Sequence, residues 1–298
     1  MTDAAALLPL RSQWRPVWER LRGNRAALAG AALFAGLLVF VSIGPILWMV
    51  DPWAIDPDNR NQGPSLGHPL GTDQLGRDLL ARLMVGGRIT LAVGVMAMLI
   101  GVGLGTLVGV MAGYFRRLDG VLMRLTDLFL ALPMLPILLV LVLLFREALA
   151  ARLGEATGIF LLVVGAIGLT SWMHTARIVR ADVMTLKERD FITAAQAIGT
   201  PPRRIITRHV LPNVLSPVIV SATLGVAGAI MIESALSFLG MGFPPDVPTW
   251  GRMVHDAVDY LQQFPGRVLW PGAFISLTVL SVNYLGDGLR AALDPRGI

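Results

Sequence analysis

Apolar residues in this chain gather into six long runs, at residues 26–50, 89–115, 121–145, 156–176, 214–239 and 268–286. A helix needs roughly 20 residues to cross a hydrocarbon layer about 30 Å thick. Because lipid offers backbone groups no hydrogen-bond partner, each crossing segment must satisfy its own. The pattern therefore predicts an all-α membrane protein with six transmembrane helices. The polar stretches divide it further, into an amino-terminal arm at 1–25, a Pro-, Gly- and Asp-rich loop at 51–88 and a charged insert at 177–213, so that 26–298 reads as one membrane domain.

Composition agrees, since 54% hydrophobic residues against 15% charged lies outside the range of soluble domains. The net charge of +5 raises the question of nucleic acid, which the distribution of the charges answers. With the amino terminus inside, the inner segments hold seventeen of the twenty-five Lys and Arg residues, the asymmetry that marks membrane sidedness. Both termini and the charged insert are then expected in the cytoplasm, and nucleic acid is not an expected partner. In the arm, Trp14 and Trp18 stand four apart among arginines, which predicts an interfacial helix against lipid headgroups.

Several chemistries are excluded. The chain has no cysteine, hence no disulfide or thiolate site. No Gly-rich loop ends in Gly-Lys-Ser or Gly-Lys-Thr, and no His-Glu-x-x-His or Gly-x-Ser-x-Gly occurs. His68, His174, His209 and His255 are scattered over separate segments, so no metal site is expected.

Within the runs, Gly101, Gly105, Gly109 and Gly113 recur every fourth residue, a spacing that lets another helix backbone approach one face. Residues 79–87 read as a short amphipathic helix ahead of the second run. Pro133 and Pro136 predict a bend in the third run, and Arg124 and Asp127 are placed to pair on one face. Residues 146–155 read as a loop. Glu233 is a lone carboxylate in the fifth run, expected to meet a hydrogen-bonding partner rather than lipid.

The insert carries the most specific pattern. Ala194, Ala195 and Ala197 give a helix little side-chain bulk, Gly199 suits a left-handed terminus, and Pro201-Pro202 force a turn before a second short helix through 203–211. Pro212 marks the next boundary. Ala194-Ala195, Gly199 and Leu211-Pro212 resemble the EAA coupling loop of ATP-binding cassette importer permeases. Thr193 stands where that loop's name puts glutamate, and His209 where isoleucine is preferred. The stretch His68-Pro69-Leu70-Gly71-Thr72-Asp73 through Asp78 and the loop that follows Pro245, through 248–253 to Arg267, resemble one subgroup, the C-type permeases of dipeptide, oligopeptide and nickel importers. The ending Leu293-Asp294-Pro295-Arg296 looks like the family's.

That resemblance implies the type I importer permease fold, in a bacterial inner membrane. It also implies a B-type permease as partner, two ATPase subunits that hold ATP and magnesium, and an extracytoplasmic solute-binding protein. Ala194, Ala195, Gly199, Leu211 and Pro212 would couple the chain to the ATPases, and the chain itself would carry no cofactor and no catalysis. Di- or oligopeptides are the expected cargo. Nickel, an opine, a glycoside or another small solute remains open, as, outside the resemblance, does a self-contained channel or membrane enzyme. The residues lining the solute path are not indicated.

Overall fold

The computed structural model describes residues 10–293, and among them six helical stretches are long and apolar enough to cross a membrane. The first helix, α1 (Leu10–Gly23), carries the arm, with Trp18 exposed and the Arg22 guanidinium 4.9 Å over its ring. The Trp14 side chain and residues 294–298 lie outside the described residues. Asn24 caps α2 (Arg25–Leu47) by accepting from the Ala27 N–H.

The second crossing differs from expectation. Instead of a short helix at 79–87 and a separate span, α3 (Leu79–Tyr114) is one rod of 36 residues, about 54 Å long at 1.5 Å per residue. Gly86 and Gly87 do not break it, because they are contact points. A Cβ on Gly86 would sit 1.6 Å from the Pro248 carbonyl oxygen, and one on Gly87 would sit 2.5 Å from the Trp250 ring.

Between α2 and α3 the loop is fixed by two aspartates. Asp78 accepts from the Ala81 N–H at 2.7 Å as the cap of α3 and from Trp48 Nε1 at 3.1 Å, and it meets His68 Nδ1 at 2.8 Å. Asp73 accepts from Arg77 Nε at 2.6 Å and from the Leu75 and Arg77 N–H groups. Trp48 is thus a tie across the loop. Arg88 does similar work in α2. Pro45 has no N–H to give the Val41 carbonyl, and Arg88 donates there at 2.6 Å and to the Ser42 carbonyl at 2.7 Å.

The third run is broken rather than bent. The amphipathic α4 (Arg116–Ala131) stops at Leu132, and the crossing is α5 (Met134–Leu153). Pro133 precedes that helix and Pro136 occupies its first turn, where a missing N–H costs nothing. The Arg124–Asp127 pair does not form, since Asp127 reaches across to Arg177 at 2.5 Å. Nor is 146–155 a loop. Helix α5 runs to Leu153 and turns on Gly154 alone, with φ of +83°, into α6 (Glu155–Thr170).

Helix α6 is interrupted at Ser171 and continues as α7 (Trp172–Lys187). The Ser171 N–H shifts to Gly168, and the Ser171 and Thr170 hydroxyls donate to the Ile167 and Ala166 carbonyls at 2.6 and 2.8 Å. Helix α8 (Asp190–Ala197), the one-turn α9 (Pro202–Ile205) and a π turn at Ile206–Val210 then lead without a break into α10 (Leu211–Phe238). Pro212 is therefore no boundary. It lies in the first turn of α10, after a wide turn in which the Leu211 N–H reaches back to Ile206. Finally α11 (Trp250–Ala257) packs under α12 (Gly266–Leu293).

Helix α7 lies against the glycine face of α3. Cβ atoms on Gly105, Gly109 and Gly113 would fall within 2.7 Å of Thr175, Val179 and Val183, and one on Gly101 would fall 3.2 Å from Ser171. Gly103, on the opposite side, has open space. Gly109→Val is thus expected to lower the thermal stability of the purified chain by more than about 2 kcal/mol through overpacking, while Gly103→Ala leaves it unchanged or slightly raised. Equal melting temperatures for the two variants would contradict this packing.

Candidate functional site

The insert is built from the α3/α7 pair outward. Val110 and Tyr114 of α3 join Val179 and Val183 of α7 in a small core that Ile192, Ala195, Ile205, Val210 and Val214 complete. The face of α8 carrying Ile192 and Ala195 is therefore turned inward. Ala195 is only 8% exposed and packs within this chain, whereas the sequence resemblance implies a methyl offered to the ATPase.

The other face is open. Phe191, Ala194 and Ile198 follow one another at the i, i+3, i+7 spacing of a single helical stripe, all exposed, with Ile198 at 82%. Phe191 and Ile198 were not singled out in the sequence. Their spacing was visible there, but Ile192 and Ala195 form a second apolar stripe, and only the tertiary core tells the two apart. Thr193 is exposed and bonds weakly to the Arg189 carbonyl, while His209 is half-buried with its ring 6.1 Å from Phe191.

Gly199 ends α8 with φ of +77°. Its N–H donates to the Gln196 carbonyl and the Thr200 N–H to the Ala195 carbonyl, the paired bonds of a left-handed helix terminus. Among the described residues, its chain neighbours aside, nothing lies within 4 Å of where its Cβ would be. The exposed Pro201, Pro202, Arg203 and Arg204 follow, so an apolar stripe ends in a turn with a basic rim. Leu211 and Pro212 are half-buried at the start of α10, beyond the π turn, and stand apart from that stripe in sequence and burial.

Three cations tie α7 to its neighbours. Arg177 pairs with Asp127 at 2.5 Å, and Arg180 grips Asp119 with two bonds, of which Nη2 to Oδ2 is 2.7 Å. Lys187 donates to the Tyr114 carbonyl at 2.8 Å and lies over the Tyr114 ring. The Arg180 hydrogen bond holds the Asp119 carboxyl below its ordinary range. A carboxyl depressed in the folded state contributes stability above its unfolded value near 4, and that contribution fades as pH falls through the folded value.

Glu233 is fully buried in α10, where Ser237 Oγ donates to it at 2.8 Å and Ser234 Oγ lies at 3.4 Å. Thr249, at the cap of α11, reaches the same Ser237 hydroxyl. The carboxylate thus organises a helix contact. Among the described residues, no group of three or more His, Asp or Glu side chains converges on a possible metal position.

Two outcomes follow from this geometry. In crosslinking to a protein docked on the insert, cysteines at Ala194 and Ile198 are expected to react and one at Ala195 is not; reaction at all three sites alike would contradict the inward face. Asp119→Asn is expected to cost about 1 kcal/mol or less at pH 7, the scale for a partly exposed pair, and progressively less as pH falls below the unfolded carboxyl value near 4, as read by pH-dependent unfolding.

Comparison with known proteins agrees with this architecture. Residues 101–297 match the family described as binding-protein-dependent transport system inner membrane component, and residues 12–64 match the N-terminal TM domain of oligopeptide transport permease C. The dipeptide transport system permease protein of Alkalihalophilus pseudofirmus is 39% identical over 286 residues, 96% of this chain and 90% of the relative. The oligopeptide transport system permease protein of Haemophilus influenzae is 36% identical over 289 residues, 96% and 89% of the two chains. A solved MetNI methionine ABC transporter in an inward-facing conformation shares the fold, with a TM-score of 0.55 at 18% identity over 72% of this chain and 97% of that one. The chain, with its six crossings and its helical insert, belongs to the binding-protein-dependent inner membrane permeases of ATP-binding cassette importers, in the C-type branch.

Proposed function

We propose that this chain is one of two permease subunits of an importer for di- or oligopeptides in a bacterial inner membrane. The observation that carries the reading is the near full-length similarity to dipeptide and oligopeptide permeases. It is joined to an insert whose exposed stripe has no cover in the chain itself. A B-type permease forms the other half of the path, an extracytoplasmic binding protein delivers solute at the loop end, and both termini face the cytoplasm. The asymmetry of basic residues supports that orientation. Of the eight Lys and Arg residues on the side with fewer, Arg77, Arg88, Arg146 and Arg252 are held by Asp73, backbone carbonyls, Glu155 and Asp256.

Two ATPase subunits hold ATP and magnesium, and one of them docks on Phe191, Ala194, Ile198 and the Gly199 turn. Nucleotide binding draws the ATPases together and moves α8. Helix α7 follows because the glycine face of α3 and the three cation ties grip it along its length. The permease has two conformations, and the ATPases bias them only by binding one more tightly than the other.

Gly199→Asp tests the docking. The Cβ of the aspartate has open space among the described residues, and Asp is among the residues that tolerate a left-handed backbone. The variant is expected to insert and fold like the unaltered chain while peptide uptake by the reconstituted transporter is lost. Uptake equal to that of the unaltered transporter would refute docking at this turn.

A further inference from the structure

A cavity of about 550 Å³ opens among α3, the α4/α5 break, the α6/α7 break and α10. Its size falls within the roughly 300–1,000 Å³ of small-solute sites. The wall is apolar over much of its extent, with Phe129 and Met134 on either side of the Leu132-Pro133 break. One side departs from this. Ser171, His174 and Thr175 of the second break face Ser221 of α10, and the Thr175 and Ser221 hydroxyls meet at 2.7 Å.

His174 is exposed and, among the described residues, makes no hydrogen bond or ion pair within the chain. It stands inside one of the six apolar stretches. An ionisable side chain within a crossing segment is costly against lipid, which favours a water-filled surface for it. Interrupted helices at membrane depth point the same way, since irregular backbone there is tolerated where it is buried in protein or lines a cavity, and two interruptions border this one. No Asp, Glu, Lys or Arg lines it, so it is built neither for a metal ion nor to read charge.

We infer that the band of His174, Thr175, Ser221 and Ser171 is a contact site for the solute in transit, and that it takes the amide and carbonyl groups of a short peptide. The exposed His174 imidazole supplies a donor and an acceptor for a peptide backbone. The Ser171 and Ser221 hydroxyls, already engaged with Ile167 and Thr175, add acceptor lone pairs, and the Phe129 and Met134 wall receives apolar side chains. The assignment rests on the importer reading above and adds to it the residues that meet the cargo.

The test uses the complete transporter in proteoliposomes with its binding protein and radiolabelled dipeptides. His174→Ala is expected to lower uptake about three- to tenfold, the scale of one lost hydrogen bond, with nucleotide hydrolysis stimulated by loaded binding protein retained. His174→Gln is expected to recover most of the loss. Unchanged uptake in His174→Ala, or uptake and stimulated hydrolysis falling in step, would overturn the assignment. A second measurement does not depend on turnover rates. His174→Cys, in a chain with no other cysteine, is expected to react with a charged, membrane-impermeant maleimide and to be protected by dipeptide during transport. Reaction with a lipid-soluble maleimide alone would put the band against lipid and overturn the site. Failure of the unaltered transporter to take up any dipeptide would instead remove the peptide reading, and with it the ligand class assigned here, while the labelling still separates a water-lined band from a lipid-facing one.

Discussion

The close seam between α3 and α7 is the constraint on which the rest of the molecule depends. Lipid tails are as apolar as leucine, so two helices in a bilayer gain nothing from hiding apolar surface and must rely on dispersion at short range. Gly105, Gly109 and Gly113 allow backbone carbonyls and β-carbons of α7 to come where a methyl group would collide. That seam places the insert, because α8 hangs from the end of α7 and its inner face closes a core shared by both rods. It also explains why α7 continues as helix to Lys187 where a cytoplasmic loop was expected to begin, since 177–187 is held along α3 and α4 by packing and by Arg177, Arg180 and Lys187.

A second constraint is that polar groups freed inside the fold need partners. Pro45 leaves a carbonyl in α2 that Arg88 serves. The Ser171 interruption is mended by two hydroxyls, and the start of α3 by a carboxylate that also holds Trp48 and His68. These repairs use arginines and aspartates that a charge count alone would assign to solvent. The sidedness signal is therefore stronger than the raw count, because several of the minority charges are committed to structure.

The six crossings, the glycine face, the Gly199 terminus and the Pro201-Pro202 turn were all legible in the sequence, because each rests on local rules of length, spacing or backbone conformation. What was not legible depended on which of two chemically equal options the tertiary structure selects. Ala194 and Ala195 are adjacent and alike, and the core behind α8 decides that one faces out. Pro133 and Pro136 read equally as a bend or a break, and Pro212 reads as a boundary unless the turn before it widens. Asp78 could be recognised as a helix cap from its place before an apolar run, but its contacts with Trp48 and His68 span 30 and 10 residues and leave no local trace.

The turn between α5 and α6 bears on how the chain is made as well as on its final shape. With Gly154 as the sole connection and Gly158 seated against Leu149, the two arms meet almost as soon as both have been synthesised, and closing so short a loop costs little entropy. The α5/α6 pair is therefore a tight hairpin in which each helix fixes the other's place, with Arg152 and Glu155 at its polar tip.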